Sequence, residues 1–99
     1  MMADEHNIFI GGKPFMNYIT AVVMQFTIKG ASSVIVKSRG KFISRAVDVV
    51  EYAKNRFLKD QVVVKDIKIG SEEFTNQEGR LVRVSTLEIT LEKKQPAPV

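Results

Sequence analysis

The chain predicts an α/β fold of the two-layer α+β kind: strands and helices in the order β-α-β-α-β-β, a mixed four-stranded sheet, both helices on one face, and a long hairpin arm made by the last two strands. Three observations lead there. Two segments repeat apolar residues at three- and four-residue spacing, each after a short β-rich run and a glycine. Near the C-terminus Leu87, Ile89 and Leu91 alternate with polar residues, and between the last strands a turn-rich stretch, Gly70 to Arg80, still holds Phe74 and Thr75. With 99 residues, 44% hydrophobic and 26% charged, the chain is expected to form one domain, 1–99, with positions 1–6 and 94–99 as flexible ends.

The elements follow in order. Asn7-Ile8-Phe9-Ile10 is apolar and ends at Gly11-Gly12, which predicts a first strand buried on both faces. Pro14 suits the first turn of a helix running to Ile28, with Phe15, Tyr18, Ile19, Val22 and Phe26 on one stripe and Met16 and Val23 widening it toward a second burial partner. Lys29-Gly30 then supplies a cation for the helix dipole and a residue able to take a left-handed cap. Ser33 to Lys37 reads as the second strand. Gly40 breaks it before a helix in which Ile43, Ala46, Val47, Val50, Ala53 and Phe57 recur at helical spacing. Lys59-Asp60-Gln61 is a polar break, Val62, Val64, Ile67 and Ile69 mark the third strand, and Leu81 to Leu91 is the fourth. The tip of the hairpin should be mobile, and Gln95-Pro96-Ala97-Pro98-Val99 reads as an unstructured tail.

Charge is the main functional signal. From position 6 to position 47 there is no carboxylate, while Lys13, Lys29, Lys37, Arg39, Lys41 and Arg45 fall in that interval. Four of these cluster around Lys37-Ser38-Arg39-Gly40-Lys41 and Arg45, where a strand gives way to a helix, a place where donors meet phosphate well. Extended geometry would turn Lys37, Arg39 and Lys41 to a similar side, Lys13 would join from the neighbouring strand-to-helix loop, and Arg45 lies one helical turn from Lys41. Phe42 is the one aromatic within this basic loop, which argues against a stacking platform for single strands and for backbone binding of a duplex.

Enzyme chemistry lacks parts. His6 is the one histidine, placed by this reading in a loose N-terminus, and there is no cysteine, so neither a Ser-His-Asp site nor a thiolate or histidine metal centre has material. Gly11-Gly12-Lys13-Pro14 fails as a phosphate loop, because Asn7 and Pro14 stand where glycine and Ser or Thr are required. Glu72, Glu73 and Glu78 fit a solvated charge run better than a metal site. The expectation is a non-enzyme without cofactors, cytoplasmic, with no membrane span or leader.

In Gly12-Lys13-Pro14-Phe15-Met16-Asn17-Tyr18, Val34-Ile35-Val36-Lys37-Ser38-Arg39-Gly40-Lys41, Ser44-Arg45-Ala46-Val47-Asp48-Val49-Val50-Glu51, Asn55-Arg56-Phe57-Leu58, Ile67-Lys68-Ile69-Gly70-Ser71 and Arg83-Val84-Ser85-Thr86-Leu87-Glu88-Ile89, the chain resembles the Alba family of archaeal chromatin proteins, over about residues 7 to 93. The resemblance implies the same element order, a homodimer that assembles further on DNA, and sequence-independent binding of double-stranded DNA and often RNA. It assigns Lys13, Lys37, Arg39, Lys41 and Arg45 to the body of the binding surface, Arg80 and Arg83 to hairpin arms along the minor groove, and Phe57 to the contact between dimers. Many relatives carry two lysines before the proline. Gly12 replaces the first, where some are acetylated, which leaves Lys13 as the candidate for modification. The acidic hairpin is a second departure, since Glu72, Glu73 and Glu78 would repel phosphate. The resemblance also admits a heterodimer with a paralogue.

Three functions follow as expectations. The first is an architectural chromatin protein that coats and compacts DNA as a dimer, associated with the chromosome in the nucleoid. The second is an RNA-binding protein acting on structured RNA, separable by competition between duplex DNA and RNA. The third is an oligomeric interaction module with an incidental basic face, for which nucleic-acid binding would survive Lys37→Ala with Arg39→Ala.

Overall fold

A computed structural model of the chain describes residues 6–94. The loose ends expected at 1–5 and 95–99 lie outside the described residues. The elements are β1 (Asn7–Phe9), α1 (Phe15–Thr27), β2 (Ser33–Arg39), a 3-10 turn (Gly40–Phe42), α2 (Ile43–Tyr52), a π-helical turn continuing α2 (Ala53–Phe57), β3 (Val62–Thr75) and β4 (Leu81–Lys93). The sheet order is β1-β2-β4-β3, with β1 parallel to β2 and the other pairs antiparallel. This is the mixed four-stranded sheet that the pattern predicts. Among the described residues no helix is long and apolar enough to cross a membrane.

One sheet face is covered. Val34, Val36, Leu87, Ile89 and Leu91 are buried against Ile19, Val22, Val49 and Val50 of the helices, and each such side chain contributes about 1.5–3 kcal/mol when removed from water. α1 buries Tyr18, Ile19, Val22 and Phe26, the predicted stripe. Pro14 stands just outside the helix as its cap, at φ −55° and ψ 141°, rather than in its first turn. At the other end Gly30 takes φ +68°, and the Ala31 N–H donates to the Gln25 carbonyl.

Two expectations need correction, at β1 and at His6, and α2 and β3 add detail that periodicity does not carry. β1 is not buried on both faces: Ile8 and Ile10 point into the core, but Phe9 is 68% exposed, because helices cover only one side of the sheet. On α2 the buried positions are Ala46, Val49 and Val50, followed by Ala53; Val47 is 43% exposed and Phe57 48%. The cause at Phe57 is the π turn, where the Leu58 N–H reaches back to the Ala53 carbonyl at 2.9 Å and the widened helix turns Phe57 off the stripe while Leu58 enters the core. Ile67 and Ile69 extend β3 as expected but are 60% and 79% exposed. They pair with Ile89 and Leu87 and so share the helix-side face, beyond the area the helices cover. Finally, His6 is tied down: its carbonyl accepts from the Ile35 N–H at 2.9 Å, and its Nδ1 lies 2.6 Å from Gln25 Oε1.

A bulge at Lys65 separates the pairs Val64–Leu91 and Asp66–Thr90. Past it β3 is the edge strand of the sheet as far as the Gly70–Thr86 pair, where β2 ends, and from there β3 and β4 run on alone as a two-stranded arm; the molecule measures 59 Å along its longest axis. Asn76 closes the tip, its Oδ1 accepting from the Glu78 and Arg80 N–H groups, with Gly79 at φ +81°.

Candidate nucleic-acid interface

Because β1 and β2 are parallel, the loops leaving them sit side by side, and both carry lysines. The first loop, Gly11 to Pro14, is clamped from two directions. The buried Tyr18 hydroxyl accepts from the N–H groups of Gly11 and Lys13, each at 3.0 Å. Arg45, from the first turn of α2, donates through Nη2 to the Lys13 carbonyl at 2.7 Å, its guanidinium 5.9 Å from the rings of Phe15 and Tyr18. The Lys13 side chain stays exposed, on a backbone with little freedom. Arg45, expected on the binding surface, is half-buried and links loop and helix through this bond. Gly12 is open on all sides: a Cβ there would meet nothing within 4 Å, so sterics do not require a glycine in place of a lysine.

Tyr18→Phe should therefore loosen this loop without unfolding the domain, leaving two loop N–H groups without their acceptor at a cost of about 1–2 kcal/mol. Amide exchange at Gly11 and Lys13 should accelerate while exchange in β4 does not; unchanged rates at both would show that Tyr18 does not hold the loop.

β2 turns Lys37 and Arg39 to the open face of the sheet, where Lys37 pairs in register with Phe9 and its Nζ lies 5.6 Å from that ring. Lys41 does not continue the alternation as expected. Gly40, at φ +57°, ends the strand and starts the 3-10 turn, so Lys41 is set on that turn, with Nζ 5.5 Å from the Phe42 ring. Gly11, Lys37, Arg39 and Phe42 line one groove, so the two loops and the end of β2 form one surface.

The arm alters the charge balance in a way not visible locally in sequence. Glu72 reaches across the sheet to Arg39 Nη1 at 3.1 Å, and Glu73 binds Arg83 through both Nε and Nη2. Neither arginine is thus a free cation. Both pairs are exposed, worth about 0–1 kcal/mol each, so a phosphate can replace the carboxylate at small cost. Arg80 lies at the tip, its N–H bound to Asn76. Phe57, 6.0 Å from Tyr52, borders a shallow groove of about 110 Å³ with Met16, Thr20, Val23 and Met24 on the outer side of α1. Among the described residues no three His, Cys, Asp or Glu side chains gather as a metal site. Sequence reasoning missed Tyr18, which it took as part of the apolar stripe; its hydroxyl, where Phe would pack equally well, was the available signal.

The chain is similar to known proteins in sequence and in fold. DNA/RNA-binding protein Alba of Nanoarchaeum equitans is 56% identical over 88 residues, 88% of this chain and 97% of the relative. DNA/RNA-binding protein Alba 1 of Archaeoglobus fulgidus is 51% identical over 90 residues, 91% and 98% of the two chains. The solved structure of Alba from Thermoplasma volcanium superposes with a TM-score of 0.80 at 43% identity, covering 87% of this chain and 98% of that one. ALBA1 from Trypanosoma brucei, at 23% identity and a TM-score of 0.66 over 92% and 72% of the chains, shares the fold. With the Alba family model matching residues 6–71, the stretch from the first strand through both lysine loops into the arm, this chain belongs to the Alba family.

Proposed function

We infer that the protein binds double-stranded DNA through its backbone, without sequence preference, and as a homodimer coats and compacts it, residing on the chromosome in the cytoplasm. The observation that supports this most is that the Lys13 loop, held to α2 by the hydrogen bond from Arg45, lies beside the Lys37–Lys41 segment on one surface. Nothing on that surface is a helix inserted for reading base edges, so contacts go to phosphate and affinity comes from counterion release. Arg80 and Arg83 extend the contact along the arm.

Dimerisation is supported by an apolar strip that the domain leaves uncovered. Ile67 and Ile69 stand on the helix-side face of β3, as their pairing with the buried Ile89 and Leu87 shows. Arg45 and Tyr52 face α1, so Val47, two residues from Arg45, lies on the opposite flank of α2, toward β3. A second copy meeting this strip about a two-fold axis would bury it on both sides. Phe57 and its groove on α1 then remain for contacts between dimers. Phe57→Ala is expected to leave the dimer folded while reducing cooperative coating, read as a shallower binding isotherm on long DNA; unchanged cooperativity would remove that role.

RNA is the second reading, favoured by the relatives whose names give both DNA and RNA binding. Titration of random-sequence duplex DNA and matched duplex RNA across salt concentrations decides between them. A steep salt dependence on DNA supports the chromatin role, a clear RNA preference supports the alternative, and no binding at low salt to either overturns both.

A further inference from the structure

The duplex reading leaves Phe9 unused. It is a large aromatic 68% exposed on the uncovered face of the sheet, on a strand whose neighbours Ile8 and Ile10 are buried. Lys37 lies alongside in the next strand, Nζ 5.6 Å from the ring centroid. The ring borders a groove of about 650 Å³, a size that takes a small ligand. Lys37 and Arg39 line it together with Glu72 and Glu88, and Lys41 is set on the turn that follows Arg39.

The mixture of charges selects the occupant. A phosphate backbone gives the two carboxylates among these cations no partner, whereas a base and its sugar do, since carboxylates can accept from an exocyclic amino group or a ribose hydroxyl. A duplex keeps its bases stacked inside and offers this face only phosphate. A single strand offers a base, and an aromatic ring on an open sheet beside lysines is a surface on which a base stacks. Unpaired bases are the ordinary state of RNA loops and ends.

We propose that Phe9 is a stacking platform for one unpaired base of single-stranded RNA, with Lys37 and Lys41 holding the flanking phosphates and Glu88 facing the edge of the base. The site rests on the nucleic-acid-binding reading above and adds a ligand form that the basic loops alone do not recognise. It reverses the expectation, drawn from Phe42 being the one aromatic in the basic loop, that single strands have no platform. The ring sits on the neighbouring strand instead.

The full chain contains no tryptophan, so Phe9→Trp introduces a single emitter at the site. Wild type, Phe9→Ala and Phe9→Trp are titrated with an oligoadenylate RNA of about twelve nucleotides and with a random DNA duplex at the same salt. Phe9→Ala should weaken oligoadenylate binding roughly tenfold while duplex affinity stays within about twofold. Phe9→Trp should restore oligoadenylate binding, and saturating RNA should quench its emission. Unquenched emission, oligoadenylate affinity indifferent to Phe9→Ala, or equal losses on RNA strand and duplex would each overturn the platform; if wild type still binds the duplex, the duplex function stands. Wild type binding neither probe overturns the underlying function, and the platform with it.

Discussion

Raising the salt from about 50 to 200 mM is expected to weaken binding to random-sequence duplex DNA by about a thousandfold. Each phosphate neutralised on B-DNA adds about 0.9 to the magnitude of the slope of log affinity against log salt. A dimer presenting two copies each of Lys13, Lys37 and Lys41 engages roughly six phosphates, for a slope of about −5. Arg39 and Arg83 contribute less than their charge suggests, because each must first exchange Glu72 or Glu73 for phosphate. Lys37→Ala combined with Lys41→Ala should flatten the slope to about −2 and weaken all duplex sequences alike. Both side chains are on the surface, so the fold should persist. An unaltered slope in the double variant would take these lysines off the phosphate backbone.

Ile67→Glu with Ile69→Glu is expected to yield a folded monomer that binds DNA at least about a hundredfold more weakly, because the two surfaces of a dimer reinforce one another through effective concentration. The side chains are 60% and 79% exposed in the single chain, so their replacement removes little from its own core. Across a two-fold contact each introduced carboxylate would be taken out of water without a partner, which is strongly unfavourable. Sedimentation gives the mass and a thermal melt reports the fold. A variant that remains dimeric would move the contact to another face.

Legibility in the sequence followed the regularity of the local backbone. In β4, Leu87, Ile89 and Leu91 alternate over a straight stretch, and all three are core residues. Likewise α1 keeps a single period from Phe15 to Phe26, so its stripe was readable. Phe9 was not, because in so short a strand Asn7 is the one polar residue on its side, too little to mark that side as open. Phe57 recurs at helical spacing in the sequence yet leaves the buried stripe, because the π turn changes the period from inside the helix, and no Gly or Pro announces it. At the interface, the lysines were legible as a charge asymmetry. Their restraints were not, since Arg39 meets a carboxylate 33 positions away and Arg45 meets a backbone carbonyl 32 positions away. Such pairings depend on sheet order and loop placement, which the composition of a segment does not encode.

The bulge at Lys65 separates two properties of the arm that are usually coupled. Val62 and Val64 occupy even positions and Ile67 and Ile69 odd ones, yet all four share a face, because Lys65 is an extra residue between pairs that otherwise run on unbroken. Deleting Lys65 would leave every later pair in place and remove only the local bend and added twist of the bulge. A single deletion between Asp66 and Thr75 would invert the facing of part of the arm. The twist with which β3 approaches the start of the arm at Gly70 can thus be adjusted by one residue while the apolar and polar sides of the strand are conserved, so a lineage can re-aim the arm toward a differently shaped polymer without rebuilding the contact between subunits.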